Sequence, residues 1–223
     1  MAVILFDIDG TLLLARGLGQ RLFEEAVEEV AGRRIDAGGV SFAGRTDRSL
    51  AREILTRGGL EDREDLIDAL LDAYAARLEA SIRPPQVTVL PGVHALLTGL
   101  EGRTDLGLLT GNVERTGWAK LRAGGLDRYF GFGAFGSDHE DRNALPRFAC
   151  ERAGTALGRR VEFEDLIVVG DTAHDIACGK AVGARTVGVC TGVDGGASLR
   201  AAGPDLLMTD FSDPGPLYRL AGL

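Results

Sequence analysis

Val3-Ile4-Leu5-Phe6-Asp7-Ile8-Asp9-Gly10-Thr11 is the stretch on which the reading of the whole chain turns. Its four leading apolar residues predict a short buried strand. Asp7 then emerges at the strand's carboxyl end, outside which open α/β sheets bind their ligands. Two carboxylates two residues apart, followed by Gly and Thr, suit a site that gathers anions around a cation. Asp7 is placed to attack an electrophile and Asp9 to handle a proton, while Gly10 lets the backbone approach a ligand closely. The plainer alternative is a strand followed by an ordinary Asp-Gly turn. Position at a strand end favours the site.

Working outward, further strand-like apolar runs occupy residues 106–109, 166–169 and 186–190, with weaker ones at 132–135 and Leu206–Met208. Helix-like segments separate the later ones, at Val93–Leu100, 116–123, Leu145–Leu157 and 175–182. Strand and helix in alternation predict a doubly wound parallel sheet with helices on both faces. The alternation fails between residues 14 and 83. There Leu18, Leu22, Ala26, Val27 and Val30 fall at helical spacing, as do Leu50, Ile54 and Leu55, and then Leu66, Ile67, Leu70, Leu71, Tyr74 and Leu78. Gly38-Gly39 and Gly58-Gly59 punctuate these helices, and Pro84-Pro85 and Pro91-Gly92 close the region. The expectation is a small all-helical insertion over residues 15–83, set into an α/β core made of residues 1–14 and 84–223. An insertion that begins directly after the acidic segment is placed to cover the sheet's carboxyl edge and exclude water.

Composition narrows the chemistry. At 223 residues, 45% hydrophobic and 26% charged, the chain fits a soluble globular protein. No apolar stretch approaches the ~20 residues that span a bilayer. No basic segment precedes an apolar one at the N-terminus, so the cytoplasm is the expected compartment. The net charge of −8 argues against nucleic-acid and membrane partners, so an anionic substrate needs a local positive feature. The three cysteines, Cys150, Cys178 and Cys190, have no CxxC spacing and suit a reduced compartment.

Further motifs close other strands. Thr110-Gly111-Asn112 offers a hydroxyl and successive backbone amides, a phosphate cradle on the same sheet edge as Asp7. Asp171 and Asp175, after an apolar strand and before a helix, suit oxygen ligation of a hard cation, with Asp175 alternatively capping the helix. Arg142, just before the helix Leu145–Leu157, is the best candidate for a completing positive charge. Lys120, one of only two lysines, competes with it but reads as part of a solvated helix face. His94 lies on a helix start and His139 in a charged loop, while His174 stands between two proposed site aspartates, near the chemistry, although a lone loop histidine usually faces solvent.

Asp7, Asp9 and Asp171 converging on a phosphate dianion would repel it. Each like-charge pair at ~4 Å costs about 4 kcal/mol at an effective dielectric of 20. A divalent cation reverses that, and clustered carboxylates select Mg²⁺ over zinc.

These pieces, in their order and spacing, resemble the haloacid dehalogenase superfamily, within it the phosphoglycolate-phosphatase-like branch, over nearly the whole chain. The resemblance implies a Rossmann-like core with a helical cap, and Mg²⁺-dependent hydrolysis of a small phosphorylated metabolite. It implies that Asp7 is the nucleophile of an aspartyl-phosphate and Asp9 the general acid and base. Thr110, Gly111, Asn112 and Arg142 would bind the phosphoryl group. Asp171 would ligate Mg²⁺ with the Asp7 carboxylate and the Asp9 backbone carbonyl, with Asp175 behind it or as a further ligand. Asp9 argues against carbon–chlorine cleavage, because dehalogenases of the family lack that second aspartate, and a cap without lysine argues against phosphonoacetaldehyde hydrolysis. A sugar-phosphate mutase resembling β-phosphoglucomutase, or a catalytically silent binding protein, are the alternatives. Arg45, in Gly44-Arg45-Thr46-Asp47, is the cap cation expected to meet a second anionic group. Oligomeric state is not readable from the sequence.

Overall fold

A computed structural model describes residues 1–15, 17–60, 63–192 and 195–223. Arg16, Glu61 and Asp62 of the expected insertion lie outside the described residues, as do Val193 and Asp194.

The chain opens on β1 (Val3–Phe6), whose four residues are all buried. After β2 (Leu13–Leu14) come three helices, α1 (Leu18–Ala31), α2 (Asp47–Arg57) and α3 (Glu64–Ser81). Next follow β3 (Thr88–Val89), α4 (Val93–Leu100), β4 (Asp105–Leu109), α5 (Glu114–Gly124) and β5 (Gly133–Ala134). The chain ends with α6 (Leu145–Leu157), β6 (Leu166–Gly170), α7 (Ala173–Ala181), β7 (Arg185–Val189), α8 (Gly195–Ala202), β8 (Leu206–Met208) and α9 (Gly215–Ala221).

Six strands form one parallel sheet in the order β5-β4-β1-β6-β7-β8. From β1 the chain builds outward through β4 and β5, then returns to the other side of β1 with β6. The strand order therefore reverses at the β1/β6 boundary, where α/β sheets bind ligands. Phe6 is level with Leu108 of β4 and Val169 of β6, so the residues following all three strands share one edge.

The strand pleat sends alternate β1 side chains to opposite faces. Ile4 and Phe6 join a core with Val93, Leu96, Leu97 and Leu100 of α4 and Leu121 of α5. Val3 and Leu5 join another with Leu145, Ala149 and Ala153 of α6 and Cys178 of α7. Helices cover both faces, as a parallel sheet requires.

Helices α1, α2 and α3 bury their apolar stripes in a separate cluster built on Leu22, Phe23, Leu50, Ile54, Leu70, Tyr74 and Leu78, to which α5 adds Ala119 and the residue before it, Val113. The two chain passages between this bundle and the sheet pair as a short antiparallel hairpin, Leu13 with Val89 and Leu14 with Thr88. That hairpin has no counterpart in the sequence reading, because each arm is two residues long and they are far apart in the chain. Helix α7 begins at Ala173, earlier than the apolar pattern suggests, because the Thr172 hydroxyl caps it while Asp175 reaches back to the Thr172 N–H.

Candidate active site

Asp7, Thr110 and Asp171 follow β1, β4 and β6 directly, and adjacent strands bring them together. Asp7 is buried, and its N–H donates to the Val169 carbonyl at 2.9 Å, extending the ladder by one residue. The Arg142 guanidinium lies 3.2 Å from Asp7 Oδ1 and donates to Asp175 Oδ1. The other Asp175 oxygen accepts from the Thr172 N–H at 3.0 Å and the Thr172 hydroxyl at 2.7 Å. Asp175 thus caps α7 and anchors Arg142, with both oxygens engaged. Arg142 is buried, and its Nε has no hydrogen-bond partner among the described residues.

Carboxylate oxygens of Asp7, Asp171 and Asp175 lie within 4.8 Å of one another. Burial pushes the Asp7 carboxyl up to about 6, with Asp175 and Asp9 adding to the rise and Arg142 opposing it. Asp171 is raised to about 8, first by burial and then by Asp7 and Asp175, although its Oδ1 accepts from the Thr11 hydroxyl at 3.0 Å. Backbone crowds Asp171 closely: a Cβ on Gly10, whose φ is +81°, would collide with its carboxylate. Hard oxygen donors at Asp7 and Asp171, whose ionisation burial and then their acidic neighbours oppose, fit a divalent cation. With Asp175 tied to Thr172 and Arg142, Asp7 and Asp171 are the carboxylates best placed to hold it.

Asp9 turns away from this cluster. Its Oδ2 accepts from Lys120 Nζ at 2.5 Å and from Asn112 Nδ2 at 2.8 Å. Asn112 ties the group together, since its Nδ2 also donates to Thr110 Oγ1 at 2.8 Å and its Oδ1 accepts from Lys120 at 2.6 Å. The Asp9 side chain is thereby held by Lys120 and Asn112, apart from the Asp7–Asp171–Asp175 cluster. Asn112 braces the Asp9 carboxylate with its side chain. The Gly111 N–H donates to no described residue.

The family model for haloacid dehalogenase-like hydrolases matches residues 4–189. The chain belongs to this family. Among its relatives, the phosphoglycolate phosphatase of Photorhabdus laumondii subsp. laumondii is 26% identical over 219 residues, covering 94% of this chain and 89% of the relative. The pyrophosphatase PpaX of Halalkalibacterium halodurans is 32% identical over 215 residues, covering 94% and 93%. A hydrolase from Pseudomonas syringae superposes with a TM-score of 0.74 at 19% identity, over 100% of this chain and 99% of that one. A β-phosphoglucomutase from Clostridium difficile does so with 0.71 at 19%, over 98% and 95%. At those identities the two structures share the fold.

In this haloacid dehalogenase-like hydrolase, Lys120 corrects the sequence reading. It is not on a solvated face but buried, 4% exposed. Burial pulls its charge down, but Asp9, Tyr74 and Asp47 outweigh that and hold it above the ordinary lysine range. The available signal was its spacing from Val113 and Thr116, which places it on the stripe of α5 that the helical bundle covers. Lys120→Met is expected to lower kcat on p-nitrophenyl phosphate about 10- to 100-fold, because Asp9 loses its strongest orienting contact. Affinity for added Mg²⁺, for which Asp7 and Asp171 are the fitting carboxylates, should change by less than about threefold. Parallel losses in both would mean that Lys120 supports the whole site rather than Asp9.

Asp47 was also missed. As the first residue of α2 it is buried; its N–H donates to the Gly111 carbonyl at 2.8 Å and its Oδ2 accepts from the Val113 N–H at 2.9 Å. Thr46 donates to the Glu140 carbonyl at 2.7 Å, and Arg52 pairs with the Glu140 carboxylate at 2.8 Å. The helical bundle is thereby bonded to both ends of the site, the Gly111 loop and the segment before Arg142. Arg45 lines the cavity over Asp7, but its guanidinium pairs with Glu53 and donates to the Ser49 carbonyl at 3.2 Å, so its charge is already engaged. His94, His139 and His174 are not drawn into the site, and His174 is exposed. No described helix is long and apolar enough to cross a membrane.

Proposed function

We propose that the protein is a Mg²⁺-dependent phosphomonoesterase that works through an aspartyl-phosphate on Asp7 and acts on a small phosphorylated metabolite. The observation that carries this reading is the division of labour between the two aspartates. Asp7 sits in the carboxylate cluster beside Arg142, whereas Asp9 is held out of it by Lys120 and Asn112. This separation supports nucleophilic attack by one carboxylate and proton transfer by the other. The phosphatase names of the two relatives support the same reading.

Bound Mg²⁺ would neutralise the carboxylates and the phosphoryl oxygens; the Asp7 and Asp171 carboxylates, with the Asp9 carbonyl, would hold it. The chain's own residues do the rest. The Gly111 N–H, the Thr110 hydroxyl and Arg142, with its unpartnered Nε, receive phosphoryl oxygens. An Asp7 oxygen bonds to phosphorus as the bond to the ester oxygen breaks, and Asp9 gives that oxygen its proton. The alcohol leaves. A water then attacks the same phosphorus, Asp9 takes the water's proton, the Asp7–phosphorus bond breaks, and phosphate is released.

A mutase would have to hold a second phosphate of its bisphosphate intermediate on the helical-bundle side. Among the described residues lining the cavity from that side the cation is Arg45, and Glu53 engages it, which favours hydrolysis.

Excess EDTA is expected to abolish turnover of p-nitrophenyl phosphate, and added Mg²⁺ to restore it; full activity in EDTA would contradict the reading. Asp171→Ala should raise the Mg²⁺ concentration needed for half-activity far more than Asp175→Ala, whose defect should fall on kcat through a loosened Arg142. Equal metal defects would make Asp175 a ligand.

The carboxyl shifts add a pH dependence. Asp7 at about 6 and Asp171 at about 8 hold protons in the folded, metal-free chain that they would release when unfolded. Between about pH 4 and 8 the folded state therefore binds more protons, and the metal-free protein loses stability as pH rises. Mg²⁺ must displace those protons, so it should bind more tightly at pH 8 than at pH 6 and raise the Tm more there. Equal Tm shifts at the two pH values, measured by differential scanning fluorimetry, would contradict this assignment.

A further inference from the structure

The cavity over Asp7 has a volume of about 520 Å³, more than a phosphate and a two-carbon acid require. Away from the aspartates its wall changes character. Leu14 of β2, Phe23 of α1, Phe42, Leu50 of α2 and Tyr74 of α3 line it, and Gln20 adds one amide. Phe23 meets the rings of Phe42 and Tyr74 edge-on, with centroids 5.6 and 5.1 Å apart, so the aromatic wall is packed before any ligand arrives. Leu14 is 41% exposed, and among the described residues the only other large hydrophobic side chain so exposed is Met1. Leu14 thus adds open apolar surface to the cavity wall, which an apolar group entering the cavity would cover.

Charge points the same way. The described cations lining the cavity are Arg45, Lys120 and Arg142, engaged by Glu53, by Asp9 and by the Asp7–Asp175 pair. Asp47 adds a buried carboxyl on the helical-bundle side. A carboxylate or second phosphate on the leaving group would give up its water beside Leu14, Phe23, Phe42 and Leu50. The described polar groups there, the Gln20 amide, the Tyr74 hydroxyl and the first turn of α1, carry no full positive charge to replace it. We propose that the substrate is a phosphomonoester whose alcohol or phenol is uncharged and largely apolar, and that phosphorylated acids and pyrophosphate are poor substrates. This rests on the reading of the Asp7 site as a phosphomonoesterase. It sets this chain apart in specificity from the relatives named phosphoglycolate phosphatase and pyrophosphatase.

The test uses the full chain with Mg²⁺. Turnover of p-nitrophenyl phosphate establishes the monoesterase, and kcat/KM is then measured for ethyl, butyl and hexyl phosphate, 2-phosphoglycolate and pyrophosphate. The alkyl esters share similar leaving-group chemistry, so their differences report contact with the wall. We expect kcat/KM to rise about two- to fourfold per methylene, and 2-phosphoglycolate and pyrophosphate to fall at least about tenfold below hexyl phosphate. Leu14→Ser should lower the hexyl value several-fold more than the ethyl value. A flat alkyl series, or 2-phosphoglycolate or pyrophosphate turned over better than hexyl phosphate, would overturn the proposal while leaving the monoesterase intact. Arg16 lies outside the described residues, and Arg16→Ala should leave the ranking unchanged; a preference for 2-phosphoglycolate that disappears in Arg16→Ala would also overturn it. If no ester is hydrolysed, p-nitrophenyl phosphate included, both readings fail.

Discussion

Asp7→Asn is expected to lower kcat by at least about 10⁴-fold, because an amide is a poor nucleophile and nothing else in the site can take its place at phosphorus. The fold should survive the change. Arg142 keeps its pair with Asp175, and the Asp7 N–H keeps its bond to Val169. The substitution also removes a carboxyl whose ionisation burial and its acidic neighbours oppose, so the metal-free variant should melt at or above the wild-type temperature at pH 8. Loss of activity with an undiminished Tm is therefore the signature. Substantial turnover in Asp7→Asn would instead mean that water attacks phosphorus directly.

Asp9→Asn should fail differently. For an alkyl phosphate, whose alkoxide needs a proton as it leaves, kcat should drop about 10²- to 10⁴-fold. For p-nitrophenyl phosphate, whose phenolate leaves unaided, the first step should be spared and the second should become limiting. A burst of p-nitrophenol equal to the enzyme concentration should precede a slow steady rate. The asparagine can still accept from Lys120, so the site should not collapse. A uniform loss on both esters, without a burst, would assign Asp9 a role in binding rather than proton transfer.

What was legible in the sequence was whatever local pattern decides. The apolar run before Asp7 reads as a buried strand, and two more such runs put Thr110 and Asp171 at strand ends. Once strands β4, β1 and β6 lie side by side, those three residues must meet. What was not legible depended on packing across the chain. Lys120 looks like any helical lysine until the bundle of α1, α2 and α3 is laid over α5, and only then is it buried against Asp9. The engagement of Arg45 was equally hidden, because Arg45 stands before the Thr46 cap of α2 and Glu53 two turns into the helix, so their pairing depends on the Arg45 side chain folding back along α2. The β2–β3 hairpin escaped for a similar reason: two-residue strands carry no period, and the arms meet only after the bundle has folded.

The central claim is that phosphorus passes through Asp7, and mass spectrometry of the trapped enzyme tests it most directly. Asp9→Asn mixed with p-nitrophenyl phosphate and Mg²⁺, quenched in acid within the burst, should carry one added phosphoryl group. Peptide mapping should place that group on Asp7, and Asp7→Asn treated identically should carry none. An adduct on another residue, or none in Asp9→Asn despite a burst of p-nitrophenol, would contradict the account.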